Sequence, residues 1–104
     1  MALTDLLWNG PRRARGTPRL LFAHGAGAPM DSLFMNEVAN QLSELGIAVA
    51  RFEFPYMQRR RVLGMRSPPD RAPVLLECYR QVVSQLGAAD RLVIGGKSLG
   101  GRMA

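Results

Sequence analysis

The chain has 104 residues, of which 47% are hydrophobic, and its formal net charge at pH 7 is +6. This length allows at most one domain, and so high an apolar content is not typical of a disordered chain. The one cysteine, Cys78, excludes an intrachain disulfide, and no apolar run has the length that a signal peptide or a membrane span needs.

The basic residues do not by themselves indicate a partner. Thirteen of the 14 are arginine, and no nucleic-acid-binding motif accompanies them. We therefore expect a cytoplasmic protein that binds neither nucleic acid nor a membrane. The composition does not predict an oligomeric state.

The first predicted elements are a loop, a strand and a helix. Residues 9–18 contain the glycines and prolines of turns, and residues 19–23 form a short apolar run typical of a buried strand. Asp31 or Ser32 is expected to cap a helix that ends at Gly46. The predicted apolar face of this helix consists of Phe34, Val38, Leu42 and Leu45.

A second strand and a second helix come next in the chain. Residues 47–54 are rich in β-branched and aromatic residues and stop at Pro55, which cannot continue a strand ladder. We expect a loop over residues 55–69 and then a helix that is capped by Asp70 and ended by Gly87. The predicted apolar stripe of this helix consists of Leu75, Leu76, Tyr79, Val82, Val83 and Leu86, and Cys78 beside it is expected to be an inert core thiol.

A third strand over residues 91–95 runs directly into a glycine-rich turn and the start of a helix. This alternation of strands with helices predicts a parallel sheet with right-handed crossovers. The predicted fold class is therefore α/β, with a three-stranded parallel core, two complete crossover helices and the first turn of a third. We expect residues 1–104 to be the N-terminal portion of a single domain.

The turn after the third predicted strand has the pattern G-x-S-x-G, made by Gly96, Ser98 and Gly100. In a nucleophile elbow the chain turns sharply from strand into helix, and the serine hydroxyl stands above the sheet on strained backbone. Only small residues fit two positions on either side, because larger side chains would collide. Two other interpretations remain, a glycine-rich turn with a solvated serine and the end of a phosphate-binding loop. The second needs a glycine where the sequence has Arg91.

His24, Gly25, Ala26 and Gly27 come directly after the first predicted strand. The two glycines beside Ala26 would let the backbone approach a substrate closely. At this position, two strand–helix units before the elbow, the N–H groups of Ala26 and Leu99 are candidates for the two donors of an oxyanion hole. His24 is the only histidine. We expect it to hold the loop by hydrogen bonds, with a direct catalytic role as the less favoured alternative.

Three segments together carry a family resemblance: LLFAHGAGAPMDS, RFEFPYM and LVIGGKSLGG. They resemble the small α/β-hydrolases of the dienelactone-hydrolase-like group, and in particular bacterial proteins similar to the testis-expressed and non-specific-lethal-complex hydrolase-like proteins. The resemblance covers the chain from about residue 18 onward. It implies a larger, mostly parallel sheet with a Ser-acid-His triad, in which Ser98 matches the nucleophile and Ala26 and Leu99 match the oxyanion donors.

The sequence departs from this family after the serine. The catalytic residues of the fold occur along the chain in the order serine, acid, histidine, but only six residues come after Ser98, and none is Asp, Glu or His. We therefore expect the N-terminal part of a serine hydrolase, truncated after the elbow, that acts on an ester-like or acyl bond of a small molecule and is inactive by itself. No cofactor or metal is expected, because the sequence has no cluster of ligands.

Five arginines lie in or beside the predicted loop after the second strand, namely Arg59, Arg60, Arg61, Arg66 and Arg71. Loops after parallel strands lie at the edge of the sheet where ligands bind. The first three are candidate anion contacts, although a solvated basic loop is the simpler interpretation. The alternative function is a non-catalytic binding module that presents this loop to an acidic partner.

Overall fold

The computed structural model describes residues 4–10, 17–87 and 92–104. In this part of the chain the sheet has four strands, β1 (Leu7–Asn9), β2 (Arg19–Ala23), β3 (Ala48–Phe52) and β4 (Leu92–Gly96). Their order across the sheet is β1-β3-β2-β4, and β2 pairs in parallel with both β3 and β4. The predicted α/β class with three parallel strands is confirmed.

The centre of the sheet is formed by β2 and β3, because both strands carry buried side chains on both faces. Every residue of β3 is buried, as are Leu21, Phe22 and Ala23 of β2. Such runs are typical of parallel strands that are covered on both faces. The fourth strand, β1, was not predicted. It pairs antiparallel with β3, and its three residues are too few to show an alternating pattern.

Helices lie on both faces of the sheet, and the described residues form four of them: α1 (Leu33–Glu44), α2 (Pro55–Leu63), α3 (Ala72–Leu86) and α4 (Leu99–Met103). On one face, Met35 and Ala39 of α1 pack with Phe22 and Val49. On the other face, a cluster contains Phe52 of β3 and the buried residues of α3, which are Leu75, Cys78, Tyr79 and Val82. The two clusters use opposite faces because successive strand residues point to opposite sides.

The predicted loop over residues 55–69 is wrong in its first half, where α2 forms. Pro55 ends the strand as expected, but it also starts this helix, since the fixed φ of proline suits the first helical turn. Gly64 ends the helix in the left-handed conformation at φ +66°, and its N–H donates to the carbonyl of Arg60. The arginine run therefore lies on a helix rather than in a loop.

The apolar face predicted for α1 is partly wrong. Met35 and Ala39 are buried, whereas Phe34 and Leu45 are 47% and 77% exposed. The other two predicted positions are partly buried against the same cluster. The buried face is rotated by about one residue from the predicted one, because the unbranched Met35 and the small Ala39 fit closely against the sheet.

Of the predicted helix caps, Ser32 is confirmed and Asp70 is wrong. Ser32 caps α1, and its hydroxyl accepts a hydrogen bond from the N–H of Met35 at 3.3 Å. Asp70 does not cap α3, whose N-cap is Arg71 without a side-chain hydrogen bond. The carboxylate of Asp70 instead accepts from the N–H of Tyr56 at 2.9 Å, so that it caps the first turn of α2 from a distance in sequence.

Two predictions lie wholly or partly outside the described residues, namely most of the loop over residues 9–18 and the start of the third strand at Arg91. Cys78 is buried, and desolvation raises the pKa of its thiol to about 11, as expected for an inert core thiol. Within residues 4–10, 17–87 and 92–104, no helix is long and apolar enough to cross a membrane.

Candidate active site

Ser98 lies at the junction where β4 gives way to α4, as predicted. Its backbone has φ 51° and ψ −109°, and it is the only non-glycine residue with positive φ in the part of the chain that the structure describes. Such a conformation is unfavourable for a residue with a Cβ and persists only where the surroundings impose it. The side chain of Ser98 is exposed. The turn therefore has the strained and accessible geometry expected of a nucleophile elbow.

Close backbone contacts impose this turn. A Cβ added to Gly96 would lie 2.6 Å from the carbonyl carbon of Gly100 and 2.7 Å from the carbonyl oxygen of Ala23. A Cβ added to Gly100 would lie 2.6 Å from the carbonyl oxygen of His24. Real Cβ atoms essentially never come this close to backbone atoms, so both positions require glycine. The steric reason predicted from the G-x-S-x-G pattern is confirmed.

The end of β2 and the end of β4 meet at one edge of the sheet. Ala23 is the register partner of Gly96, and the N–H of Lys97 donates to the carbonyl of Ala23 at 3.0 Å. A Cβ on Gly25 would lie 3.4 Å from the carbonyl oxygen of Lys97. The two strands are direct neighbours in the sheet, and the segment after β2 lies directly beside the serine turn.

His24 has both ring nitrogens engaged with backbone and is completely buried. The N–H of Phe54 donates to its Nε2 at 3.1 Å, and its Nδ1 lies 2.6 Å from the carbonyl oxygen of Gly25. Because Nε2 accepts, we assign the hydrogen to Nδ1, which makes the ring neutral. Burial lowers the pKa of His24, which the Gly25 hydrogen bond and Glu53 partly offset. His24 thus ties the backbone at Gly25 to the backbone at Phe54.

Side chains from β3, from the turn after it and from α2 hold the rest of this segment (residues 24–32), which we call the oxyanion loop after the role that we propose for it below. The hydroxyl of Tyr56 donates to the carbonyl of Ala26 at 3.0 Å. The carboxylate of Glu53 accepts from the N–H of Met30 at 3.2 Å, and the guanidinium of Arg51 donates to the carbonyl of Met30 at 2.9 Å. None of the three was predicted as a site residue, and the only signal in the sequence is a set of polar groups within an otherwise apolar strand and turn.

Arg51 is the most unusual of these side chains, because it is a charged group buried in the middle of the sheet. It is 3% exposed. Its Nη1 also donates to Oδ1 of Asn36 at 2.6 Å, and its Nη2 donates to Oδ1 of Asn9 at 2.7 Å. Burial lowers the pKa of Arg51, with the charge of Asp31 acting in the opposite direction. Arg51 thus ties β1, α1 and the oxyanion loop to β3.

The three candidate anion contacts lie on α2 and bind groups of the protein itself. Arg59 forms a salt bridge with Asp70 at 2.6 Å. Arg61 forms two, with Asp31 at 2.7 Å and with Glu53 at 2.6 Å, and hydrogen bonds to these carboxylates raise its pKa.

Arg60 differs from its two neighbours. In the described residues it makes no salt bridge, and its guanidinium donates to the carbonyl of Ser67 at 2.8 and 3.0 Å and lies over the ring of Tyr56. Two of the three arginines are therefore neutralised internally.

Ser98 and its neighbour Lys97 are both exposed. The ammonium of Lys97 lies 4.8 Å from the ring centre of Phe34, at the start of α1. A cleft of about 500 Å³ lies elsewhere, against Glu53, Arg61 and Cys78, and Ser98 does not line it. Across residues 4–10, 17–87 and 92–104, no group of three or more His, Cys, Asp or Glu side chains is arranged to hold a metal ion.

Comparisons with known proteins agree with this geometry. A family model described as an alpha/beta hydrolase domain matches residues 16–104. No curated protein matches the sequence. Among solved structures, Est1E from Butyrivibrio proteoclasticus is similar, with a TM-score of 0.70 at 18% sequence identity. The match covers 94% of this chain and 37% of Est1E, so the chain spans little more than a third of that protein, and a likeness at this identity shows the fold alone.

Proposed function

The chain belongs to the alpha/beta hydrolase domain family, and from that premise we propose that it supplies the nucleophile and the oxyanion hole of a serine hydrolase acting on an ester-like or other acyl bond. The observation that carries the proposal is Ser98, exposed on strained backbone between β4 and α4 beside the oxyanion loop. This is the arrangement that acyl transfer through a serine requires.

Each group has a defined part in the proposed reaction. The hydroxyl oxygen of Ser98 attacks the carbonyl carbon of the substrate and loses its proton to a general base. Negative charge then develops on the carbonyl oxygen, where the N–H groups of Ala26 and Leu99 donate hydrogen bonds. Leu99 is the first residue of α4, so its N–H has no partner within the helix. The protonated base then gives this proton to the leaving alcohol or amine, which departs as the carbonyl re-forms, and Ser98 carries the acyl group.

We do not propose His24 as the general base that takes the proton of Ser98. Nε2 of His24 accepts from Phe54, Nδ1 is bound to Gly25, and the low pKa reflects complete burial. We propose instead that a histidine and an acid outside these 104 residues complete the triad. Removing triad members typically leaves a residual rate roughly 10³–10⁴-fold above that in water. The chain alone is therefore expected to acylate slowly and not to turn over.

The subgroup, the substrate class and the location are further parts of the proposal. The segments LLFAHGAGAPMDS, RFEFPYM and LVIGGKSLGG support the dienelactone-hydrolase-like group, and a small molecule with an acyl or ester bond is the proposed substrate, without nucleic acid or membrane. A cytoplasmic location is supported by the single, buried Cys78. The alternative of a binding module for an acidic partner has less support, because Arg59 and Arg61 already bind carboxylates of the chain.

The experiment compares the chain with Ser98→Ala, using p-nitrophenyl acetate and mass spectrometry of the products. Ser84→Ala, which changes an exposed serine on α3, is the matched control. We expect one acetyl group on Ser98 in the unchanged chain and in Ser84→Ala, none at that site in Ser98→Ala, and no sustained turnover. Labelling without preference for Ser98 would overturn its role as nucleophile. Sustained turnover that is lost in Ser98→Ala would overturn the assignment of the base.

A further inference from the structure

Two successive carbonyl groups of the oxyanion loop point towards one buried hydroxyl. Oη of Tyr56 lies 3.0 Å from the carbonyl oxygen of Ala26 and 3.5 Å from that of Gly25. The Gly25 carbonyl is also bound by Nδ1 of His24 at 2.6 Å. Tyr56 is completely buried, and desolvation raises its pKa, so the phenol stays protonated and able to donate.

Because the peptide bond is planar, these contacts to the carbonyl groups also fix the direction of the N–H groups that follow them. In a trans peptide the C=O of one residue and the N–H of the next point in opposite directions. Because the carbonyl of Gly25 faces His24 and Tyr56, the N–H of Ala26 faces away from them. The carbonyl of Ala26 is held in the same way, so the N–H of Gly27 also faces away from the buried pair. A Cβ on Gly27 would meet nothing within 4 Å, which leaves open space beside that amide.

Tyr56 is itself held at several points, which a positioning group requires. Its N–H donates to Asp70 at 2.9 Å at the start of α2. Its ring packs edge-on against His24 with 5.8 Å between ring centres, and the guanidinium of Arg60 lies 5.6 Å from its centre. The hydroxyl therefore has little freedom to move away from the loop.

We propose that Tyr56 is a positioning residue that fixes the peptides of residues 25–27 so that the N–H groups of Ala26 and Gly27 serve as oxyanion donors. The inference rests on the proposed function for Ser98, and it adds Gly27 as a third donor. Tyr56 does not touch the substrate. It acts through the loop, as a preorganised donor must be held before charge develops.

The test uses Tyr56→Phe, which keeps the ring and removes only the hydroxyl. The matched control is Tyr79→Phe, because Tyr79 is also buried and its hydroxyl donates to the carbonyl of Gly95 at 2.7 Å, outside the loop. We expect Tyr56→Phe to move the carbonyl carbon resonance of Ala26 upfield and to lower the backbone order parameters of residues 25–27. Acetylation of Ser98 should become about tenfold slower. Tyr79→Phe should change none of these.

A second variant covers the case in which Tyr56→Phe does not fold. The chain has two tyrosines, so 3-fluorotyrosine incorporated into Tyr79→Phe labels Tyr56 alone. The fluorinated phenol is a stronger donor and should move the Ala26 resonance downfield.

Loop resonances that do not respond to either change at Tyr56 would overturn the inference, as would an altered loop with an unchanged acetylation rate. A loop that responds in a chain whose Ser98 is never acetylated would instead overturn the proposed function and leave the positioning contact standing.

Discussion

The serine turn and the oxyanion loop lie side by side at one edge of the sheet, yet they are held in different ways. The turn around Ser98 is held by backbone packed on backbone, with Gly96 and Gly100 against the carbonyls of Ala23 and His24. The oxyanion loop is held by side chains that come from β3 and α2, among them Arg51 and Tyr56. One half of the site is thus held by backbone sterics, including contacts between residues 73 and 76 positions apart, and the other by polar side chains of residues 21 and 30 positions away.

This difference shows how the two halves should respond to change. The turn has no room for an added methyl group, whereas the loop tolerates one where no atom is near. The loop in turn depends on polar side chains that lie elsewhere in the sequence. This description of the two halves is wrong if an added methyl group is as costly in the loop as in the turn. It is also wrong if the loop is unaffected by the loss of its polar supports.

The largest effect is expected from Gly100→Ala. The added Cβ would lie 2.6 Å from the carbonyl oxygen of His24, so the helix start or the end of β2 must shift, at a cost of about 3 kcal/mol in the free energy of unfolding. Gly27→Ala is the matched control in the loop, where a Cβ would meet nothing, and it should change stability by less than about 0.5 kcal/mol. Urea unfolding measures both, and equal effects would contradict the steric account.

Arg51→Met tests the other half. It retains the apolar stem but removes the donors to Met30, Asn36 and Asn9. Leaving these partly buried acceptors without their charged donor should cost about 2 kcal/mol and broaden the amide resonances of the oxyanion loop. Arg80→Met, at an exposed position of α3, should be close to neutral. Unchanged loop resonances in Arg51→Met would show that the loop does not depend on this contact.

Ser32→Ala tests a contact between near neighbours at the end of the oxyanion loop. Its hydroxyl caps α1 through the N–H of Met35, and its loss should lower the free energy of unfolding by about 1 kcal/mol. Ser43→Ala removes a hydroxyl that donates to the carbonyl of Asn40 within the same helix, and it should have little effect. Thermal unfolding would separate the two, and similar melting temperatures would argue against the cap.

The smallest effect on the free energy of unfolding is expected from a change of pH near neutrality. Burial lowers the pKa of His24 from 6.5, so below that pH the unfolded chain binds a proton that the folded chain resists. The free energy of unfolding should therefore fall as the pH drops below about 6.5 and continue to fall until the folded pKa is reached. His24 is the only histidine, so His24→Gln should remove this slope from urea midpoints measured between pH 7.5 and 5.5. A flat profile in the unchanged chain would contradict the assignment of a buried neutral ring.

The half of the site that is held by backbone packing is also the half that could be predicted from the sequence. Gly96, Ser98 and Gly100 occur at fixed spacing after an apolar run, and this short pattern is enough to predict a turn without room for side chains. The carbonyls of Ala23 and His24 that fill the space lie more than 70 positions away. The placement of His24 beside this turn could be expected only from the resemblance to the α/β-hydrolase fold, because the order of strands and helices along the chain does not fix which strands are neighbours.

The remaining features depend on contacts that no short pattern contains. Pro55 is compatible with both the end of a strand and the start of a helix, and the carboxylate that caps α2 lies at Asp70. The position of Arg51 within an apolar strand gives no indication of Asn9 and Asn36, which bind it. The buried face of α1 was misplaced because periodicity alone does not distinguish Phe34 from Met35 as the inward residue.

The order of the strands in the sheet also affects which parts of the site form first during folding. Leu20 pairs with Val49, 29 positions away, and with Val93, 73 positions away. Closing the longer loop costs about 0.8 kcal/mol more chain entropy by the logarithmic dependence on length. We therefore expect β2 and β3 to associate earlier in folding than β4 does. The oxyanion loop would then be assembled on its side-chain supports before the strand that carries Ser98 docks against it.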